Sequence, residues 1–77
     1  MVNDNIAPLD VVFAALSDPT RRAILSRLRD ESLRVTEIAG PIPISLAATS
    51  KHVKILERAG LVTRDVRGRN HHITLAA

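Results

Sequence analysis

The sequence predicts an α+β fold in which short helices form a core and a two-stranded β-hairpin follows at the C-terminal end. Two observations carry this prediction. Apolar residues recur at helical spacing as far as Gly60, and β-branched residues with alternating polarity replace that pattern from Leu61 onward. The 77 residues fit one domain over residues 1–77, and the mostly polar residues 1–7 are expected to be disordered.

The first two helices follow from apolar spacing and from a start signal between them. We expect the first helix over residues 8–16, because its apolar residues recur at intervals of three and four. These residues are Leu9, Val12, Phe13 and Leu16. Asp18 followed by Pro19 is an N-cap with proline at the first helical position, and it predicts a second helix that ends near Asp30. Both helices are expected to turn their apolar faces toward the core.

A short third helix and a rigid turn are expected next. Thr36 is the predicted cap of a helix that runs through Ala39. Two prolines within residues 40–43 then force a turn, because proline lacks the amide hydrogen that a helix interior needs.

The fourth helix has the clearest local signals. The Ser45 hydroxyl can cap its start, and Gly60 stands just past its end, where glycine easily adopts the left-handed conformation. Its apolar positions are separated by three or four residues, as one face of a helix requires. They are Leu46, Thr49, Val53 and Leu56.

The opposite face of this fourth helix is small and basic. It carries Ala47, Ser50, Lys51 and Lys54, with His52 beside them. Small side chains near a helix start allow close approach to base edges, and serine and lysine can donate to bases or phosphates. An ordinary surface helix with solvated lysines has the same pattern, so this helix alone does not decide its role.

A basic β-hairpin is predicted after the fourth helix. Residues 61–66 are rich in β-branched side chains, residues 67–70 contain the turn formers glycine and asparagine, and residues 71–75 alternate again. We expect Arg64, Arg67 and Arg69 to project together on or near the hairpin tip. A turn that serves only solubility has a similar composition, but its position directly after a basic helix argues against that interpretation.

Composition excludes several classes of protein and concentrates positive charge in one region. The sequence has no cysteine for a disulfide, a thiolate metal site or a nucleophile, and no apolar run long enough to cross a membrane. Residues 1–50 hold five basic and six acidic side chains, whereas residues 51–77 hold six basic and two acidic ones. This asymmetry is the footprint expected of a nucleic-acid-binding protein, and a cytoplasmic location is expected with it.

Four segments of the sequence resemble the ArsR-type winged helix-turn-helix repressors, from about Phe13 onward. They are ALSDPTRRAIL (residues 15–25), VTEIA (35–39), SKHVKILERAGLV (50–62) and RGR (67–69). The resemblance implies a winged helix-turn-helix domain with three core helices, a recognition helix and a two-stranded wing. The turn with two prolines departs from the family, in which the segment before the recognition helix is usually looser.

The resemblance also implies that the chain binds operator sequences in double-stranded DNA as a prokaryotic transcriptional regulator, acting as a repressor. We expect major-groove contacts from Ala47, Ser50, Lys51, His52 and Lys54. We expect phosphate or wing contacts from Thr36, Ser45, Arg64, Arg67 and Arg69. The family dimerises through its first helix and a helix after the wing. A homodimer is therefore expected of the parent protein, and a weak or absent dimer of the present chain, which stops before that later helix.

Several residues admit a second interpretation. Arg21 and Arg22 could clamp a phosphate, although pairing within the scaffold is the preferred hypothesis. His71 and His72 are adjacent on a strand and point to opposite faces, so one metal ion cannot easily use both. No metal site, cofactor or catalytic residue is predicted, and a hydrolytic enzyme is the weakest hypothesis. The alternative function is a winged-helix module for protein–protein contact without DNA binding.

Overall fold

The computed structural model describes residues 6–76 and confirms the α+β winged helix-turn-helix fold. Helices and strands follow one another in the order α1 (Ile6–Leu16), α2 (Pro19–Leu28), β1 (Leu33–Arg34), α3 (Val35–Ala39), α4 (Leu46–Arg58), β2 (Val62–Arg67) and β3 (Asn70–Leu75). Within the described residues, no helix combines the length and apolar character that crossing a membrane would need.

The core lies between the helices and one face of the sheet, and every helix and strand contributes to it. Its buried apolar side chains are Ala15, Ile24, Leu28, Leu33, Ile38, Val53, Leu56, Val62 and Ile73. Removing this surface from water is the main stabilising contribution to the fold. Thr49 is buried among them, and its hydroxyl donates to the Ser45 carbonyl at 3.0 Å, so burial leaves no unpaired polar group there.

The sheet is antiparallel with strand order β1–β3–β2. The hairpin β2–β3 is the expected two-stranded wing, and its register pairs Val62 with Leu75 and Arg67 with Asn70. The third strand, β1, was not predicted, because two residues are too short to show an alternating pattern. It pairs Leu33 with the buried Ile73 and so attaches the wing to the chain between α2 and α3.

The N-terminal helix begins earlier than predicted. Helix α1 starts at Ile6 instead of residue 8, within the segment that was expected to be disordered, and residues 1–5 lie outside the described part. Pro8 is compatible with this start, because the first turn of a helix has no acceptor for its amide hydrogens in any case.

The predicted apolar face of α1 is only partly covered, contrary to the expectation that it packs into the core: Val12 and Leu16 are half-buried, but Leu9 and Phe13 are exposed. Leu9 is 52% exposed and Phe13 is 64% exposed, and Val11 is exposed on the other side of the helix. Among residues 9–16 of this helix only Ala15 is buried, since α1 meets the rest of the described chain mainly through its last turn. Helical spacing correctly identified an apolar face but could not say what covers it.

Candidate nucleic-acid interface

Helix α4 forms for the local reasons that the sequence indicates. The Ser45 hydroxyl accepts the Ala48 amide at 3.0 Å and caps the first turn. Gly60 has a φ of 76° and ends the helix, and the Leu61 amide then returns to the Leu56 carbonyl at 3.0 Å. The predicted cap and stop are therefore confirmed. The Ser45 hydroxyl oxygen is used in this cap. The predicted contact of Ser45 with a phosphate stays a prediction.

The buried face of α4 fixes the direction in which its basic face points. Thr49, Val53 and Leu56 are buried, as predicted, but Leu46 is 50% exposed because the first turn extends beyond the edge of the core. On the other side, Ala47, Lys51 and Lys54 are exposed and Ser50 is half-buried. No salt bridge or side-chain hydrogen bond within residues 6–76 uses either lysine.

His52 points away from this basic face and toward the start of α2. Its Nδ1 atom lies 3.2 Å from Arg21 Nη1 and 4.0 Å from Asp18 Oδ2. A guanidinium only donates, so in this contact Nδ1 is an acceptor when the imidazole is neutral. The ring thus joins the recognition helix to α2, and its predicted contact with bases stays a prediction.

The arginines of α2 hold the helices together. Arg21 Nε donates to the Ala15 carbonyl at 2.7 Å, and Arg21 Nη2 donates to the Ala14 carbonyl at 3.0 Å. Arg22 Nη1 donates to the Leu16 carbonyl at 2.8 Å. These carbonyls belong to the last turn of α1, where no further helical turn supplies amide donors, although the Ala14 carbonyl also accepts the Ser17 hydroxyl at 2.7 Å. Pairing within the scaffold, the preferred hypothesis for Arg21 and Arg22, is confirmed.

Asp18 starts α2 and completes this junction. Its carboxylate Oδ2 accepts the Arg21 amide at 2.9 Å. That hydrogen bond, followed by the nearby charges of Arg21 and His52, holds the pKa of Asp18 below its usual value. The start of α2 therefore carries a charged cap at ordinary pH.

The start of α3 differs from the prediction. Arg34, not Thr36, is the N-cap, because strand pairing with His72 keeps the chain extended until that point. Glu37 Oε1 accepts the Arg34 amide at 2.8 Å and Arg34 Nε at 3.3 Å. These two hydrogen bonds lower the pKa of Glu37. Thr36 is left exposed on the first turn of α3.

The wing tip presents two of the three predicted arginines. Gly68 has a φ of 62°, which the tight turn between β2 and β3 requires. Arg67 is exposed, and its Nε lies 2.7 Å from Asp65 Oδ2. Arg69 is exposed and belongs to none of the ion pairs among the described residues.

Arg64 is not at the tip, contrary to the prediction. It lies near the base of the wing, where its Nε and Nη2 donate to Glu57 Oε1 at 3.3 Å and 3.2 Å. Its Nη1 lies 2.9 Å from His71 Nδ1. Arginines three residues apart along a strand lie on opposite faces, because side chains alternate, so Arg64 and Arg67 cannot project together.

A cleft of about 250 Å³ separates the wing from the recognition helix. Side chains from α3, α4 and the wing converge on it: Thr36, Leu46, Ser50, Arg64, Arg69, Asn70 and His71. The structure thus gathers four of the predicted site residues, Thr36, Ser50, Arg64 and Arg69, around one opening. Asn70 and His71 were missed as lining residues, since nothing in a turn asparagine or a strand histidine indicates which face looks into a cleft.

Comparison with known proteins agrees with this geometry. A family model described as a helix-turn-helix domain matches residues 16–65. The HTH-type transcriptional regulator Rv2034 of Mycobacterium tuberculosis is 47% identical over 53 residues, which are 69% of this chain and 50% of that protein. The transcriptional repressor SdpR of Bacillus subtilis is 39% identical over 57 residues, which are 74% of this chain and 63% of that protein. The chain therefore spans only part of the length of these relatives.

A solved structure extends the similarity to the fold. The crystal structure of the ArsR family transcriptional regulator RHA00566 superposes with a TM-score of 0.87 at 36% identity, over 91% of this chain and 77% of that chain. The same arrangement of helices and wing therefore accompanies a clear similarity of sequence. The chain belongs to the ArsR family of winged helix-turn-helix transcriptional regulators.

Proposed function

We propose that this domain binds specific sequences in double-stranded DNA and acts as a prokaryotic transcriptional regulator, most simply as a repressor. The observation that carries the proposal is the presence of exposed cations both on α4 and on the wing, the two elements that border one cleft. Lys51 and Lys54 lie on α4 and Arg69 lies on the wing, and all three are exposed without partners among the described residues. Such cations neutralise phosphates at little cost in lost internal contacts.

The dimensions of α4 suit a major groove. Its 13 residues span about 20 Å, and the groove is about 12 Å wide and admits one helix. Ala47 lies on its first turn and leaves room for close approach to base edges. Ser50 and Lys51 are then the first side chains able to donate to bases, and Lys54 would follow toward the backbone. The wing tip, with Arg67 and Arg69, would reach phosphates or the adjacent minor groove.

The relatives support regulation and repression. Rv2034 is a transcriptional regulator and SdpR is a transcriptional repressor, and each aligns with more than two thirds of this chain. A repressor needs only to occupy its operator, so a DNA-binding domain with the geometry described supplies the essential activity. Such a regulator acts where the chromosome is, which in a prokaryote is the cytoplasm.

The exposed face of α1 supports a homodimer. Leu9 and Phe13 form an exposed apolar surface on one side of α1 that the described chain does not cover, and surfaces of this kind mark contacts with other chains. We propose that two copies meet through this face and bind half-sites about one helical turn apart. The present chain is still expected to dimerise weakly, so sedimentation is measured over a range of concentrations. Phe13→Ser should remove any increase of the sedimentation coefficient with concentration, whereas Val66→Ser, which changes an exposed apolar residue on the wing, should leave that increase unchanged.

The alternative of a protein–protein module without DNA binding has less support. It needs an exposed apolar patch on α4, but the outward positions of that helix carry Lys51 and Lys54. Leu46 is the exception, and it faces the cleft beside Arg69 rather than an open surface. A single apolar residue next to cations is a poor protein-docking surface.

Selection from random duplexes, followed by salt titration of the selected site, tests the proposed function. Each phosphate contact should contribute about 0.9 to the slope of log affinity against log salt concentration, so three to five contacts predict a slope of about −2.7 to −4.5. Recovery of no common sequence together with a slope near zero would reject DNA binding. A steep slope without a common sequence would instead indicate nonspecific binding and reject the regulator.

A further inference from the structure

Above the buried base of the wing, one arginine makes polar contacts with the recognition helix. Arg64 of β2 reaches Glu57 in the last turn of α4 with two nitrogens and His71 of β3 with a third. The Arg64 side chain is only 20% exposed, and that of Glu57 is 38% exposed. Nε, Nη1 and Nη2 of the guanidinium therefore each have a protein partner.

We propose that Arg64 is a positioning residue that sets the angle of the wing against the recognition helix, and that it does not bind a phosphate. The proposal rests on the DNA-binding function proposed above and replaces the expectation that Arg64 contacts DNA. It assigns to one ion pair the task of keeping the cations of α4 and those of the wing tip at the spacing that a duplex requires.

The burial pattern of β2 explains why the connection lies at Arg64. Alternate residues on its inner face change from buried Val62 through half-buried Arg64 to Val66, which is 55% exposed. Beyond Arg64 the hairpin therefore has little support from the core. The arginine is the outermost inner-face residue of β2 that is not exposed, and its side chain reaches Glu57 of α4, so it can restrain the wing where burial ends.

Glu57 is difficult to explain by the needs of α4 alone. The C-terminal end of a helix carries partial negative charge, and a carboxylate in the last turn is unfavourable there. Glu57 nevertheless lies in that turn and directs Oε1 to Arg64. The pairing offsets the repulsion, which indicates that the position serves the contact with the wing.

Competition argues against a phosphate contact for Arg64. A phosphate would have to displace the Glu57 carboxylate, and it would approach a guanidinium that already carries a negative partner. Arg69 offers the matched contrast, because it faces the same cleft and has no ion-pair partner in the described part of the chain. The two arginines thus differ in environment and not in charge.

DNA titration separates positioning from contact. Arg69→Gln should reduce the magnitude of the salt slope by about 0.9, the loss of one phosphate contact. Arg64→Gln should weaken binding by about tenfold, a typical coupling, with the slope unchanged. Glu57→Gln removes a negative charge, so electrostatics alone would tighten binding, whereas loss of positioning should weaken it. The double variant Arg64→Gln/Glu57→Gln should bind no more weakly than Arg64→Gln, because both changes break one contact.

A second measurement needs no DNA. The chain has no cysteine, so Ser26→Cys on α2 and Val66→Cys on the wing can carry a pair of spin labels at exposed positions. Arg64→Gln and Glu57→Gln should both broaden the distance distribution between the labels, and Arg69→Gln should not. Glu57→Gln alone carries both tests if Arg64→Gln fails to fold.

The outcomes distinguish this proposal from the function on which it rests. Positioning would be overturned if Arg64→Gln reduced the salt slope as much as Arg69→Gln and Glu57→Gln tightened binding. Arg64 would then be a phosphate contact. An unchanged distance distribution in both variants would also overturn it. A wild-type protein without salt-dependent DNA binding would reject the proposed function, while broadened distances would still show that Arg64 orients the wing.

Discussion

The arginines of α2 and the cations of the recognition helix and wing carry the same charge but have different partners. Arg21 donates to carbonyls in the last turn of α1, and Arg27 Nη1 donates to the Glu37 and Ile38 carbonyls in the last turn of α3, both at 2.9 Å. Lys51, Lys54 and Arg69 lie in the exposed part of the surface without ion pairs among residues 6–76.

The difference indicates that a basic side chain is available to bind DNA only when it is not already hydrogen-bonded or ion-paired within the fold. Helix C-terminal carbonyls lack partners and attract cations, so an arginine near one is stabilised where it stands. An exposed lysine loses no contact within the protein when it binds a phosphate. A count of charges does not distinguish the α2 arginines from the exposed cations. The atoms that each side chain contacts do distinguish them.

The largest expected effect concerns the unpaired cations. Replacing Lys51, Lys54 and Arg69 together by alanine should reduce the magnitude of the salt slope by about 2.7 and weaken binding roughly a hundredfold at physiological salt. The free energy of unfolding should change by less than about 0.5 kcal/mol, since no described contact is lost. Fluorescence anisotropy with a labelled duplex measures the first quantity, and urea unfolding the second. Arg22→Gln is the control, and its slope should equal that of the wild type.

The converse prediction concerns Arg21. Arg21→Gln should lower the free energy of unfolding by about 2–3 kcal/mol, because carbonyls at the end of α1 lose charged donors. The salt slope of the surviving folded protein should be unchanged. Lys51→Gln is the matched substitution on the interface, and its urea midpoint should hardly move. If Arg21→Gln altered the slope and left stability intact, the distinction between scaffold and interface would have to be abandoned.

Within the interface, helix and wing should differ in the kind of loss. Ser50→Ala combined with Lys51→Ala should cost about 1–3 kcal/mol against the preferred sequence and much less against others, because base-edge contacts carry the discrimination. Arg69→Ala should weaken binding to all duplexes more evenly. Competition between the selected duplex and shuffled duplexes measures both. A wing variant that changed sequence preference more than the helix variant would reverse the assignment.

The smallest effect is the pH dependence of the α2 start. The Asp18 cap has a lowered pKa in the folded protein, so its stabilisation is complete above the unfolded value, about 4, and is lost as the pH falls through the folded value. Asp18→Asn can still cap the helix but does not titrate. Its free energy of unfolding should therefore fall less than that of the wild type between pH 6 and pH 3. Part of the dependence should remain in the variant, because the pKa of Glu37 is lowered as well.

The sequence by itself determined the elements that depend on near neighbours. The Ser45 cap, the Gly60 stop and the turn at Gly68 each involve residues within a few positions of one another, so a local pattern contains all the relevant atoms. The family signature added the order of helices and the wing, which the structure confirms. Helical spacing likewise identified the apolar face of α1.

Only the tertiary structure decided which basic and apolar side chains have partners within the fold and which are exposed. Arg21 meets His52 across 31 positions, and β1 exists only because Leu33 pairs with Ile73. Arg64 and Arg69 look alike in a sequence, and they diverge because the first meets a carboxylate from α4 and the second meets solvent. The packing of segments that are distant in sequence determines a side chain's partners, so residue type alone does not predict them.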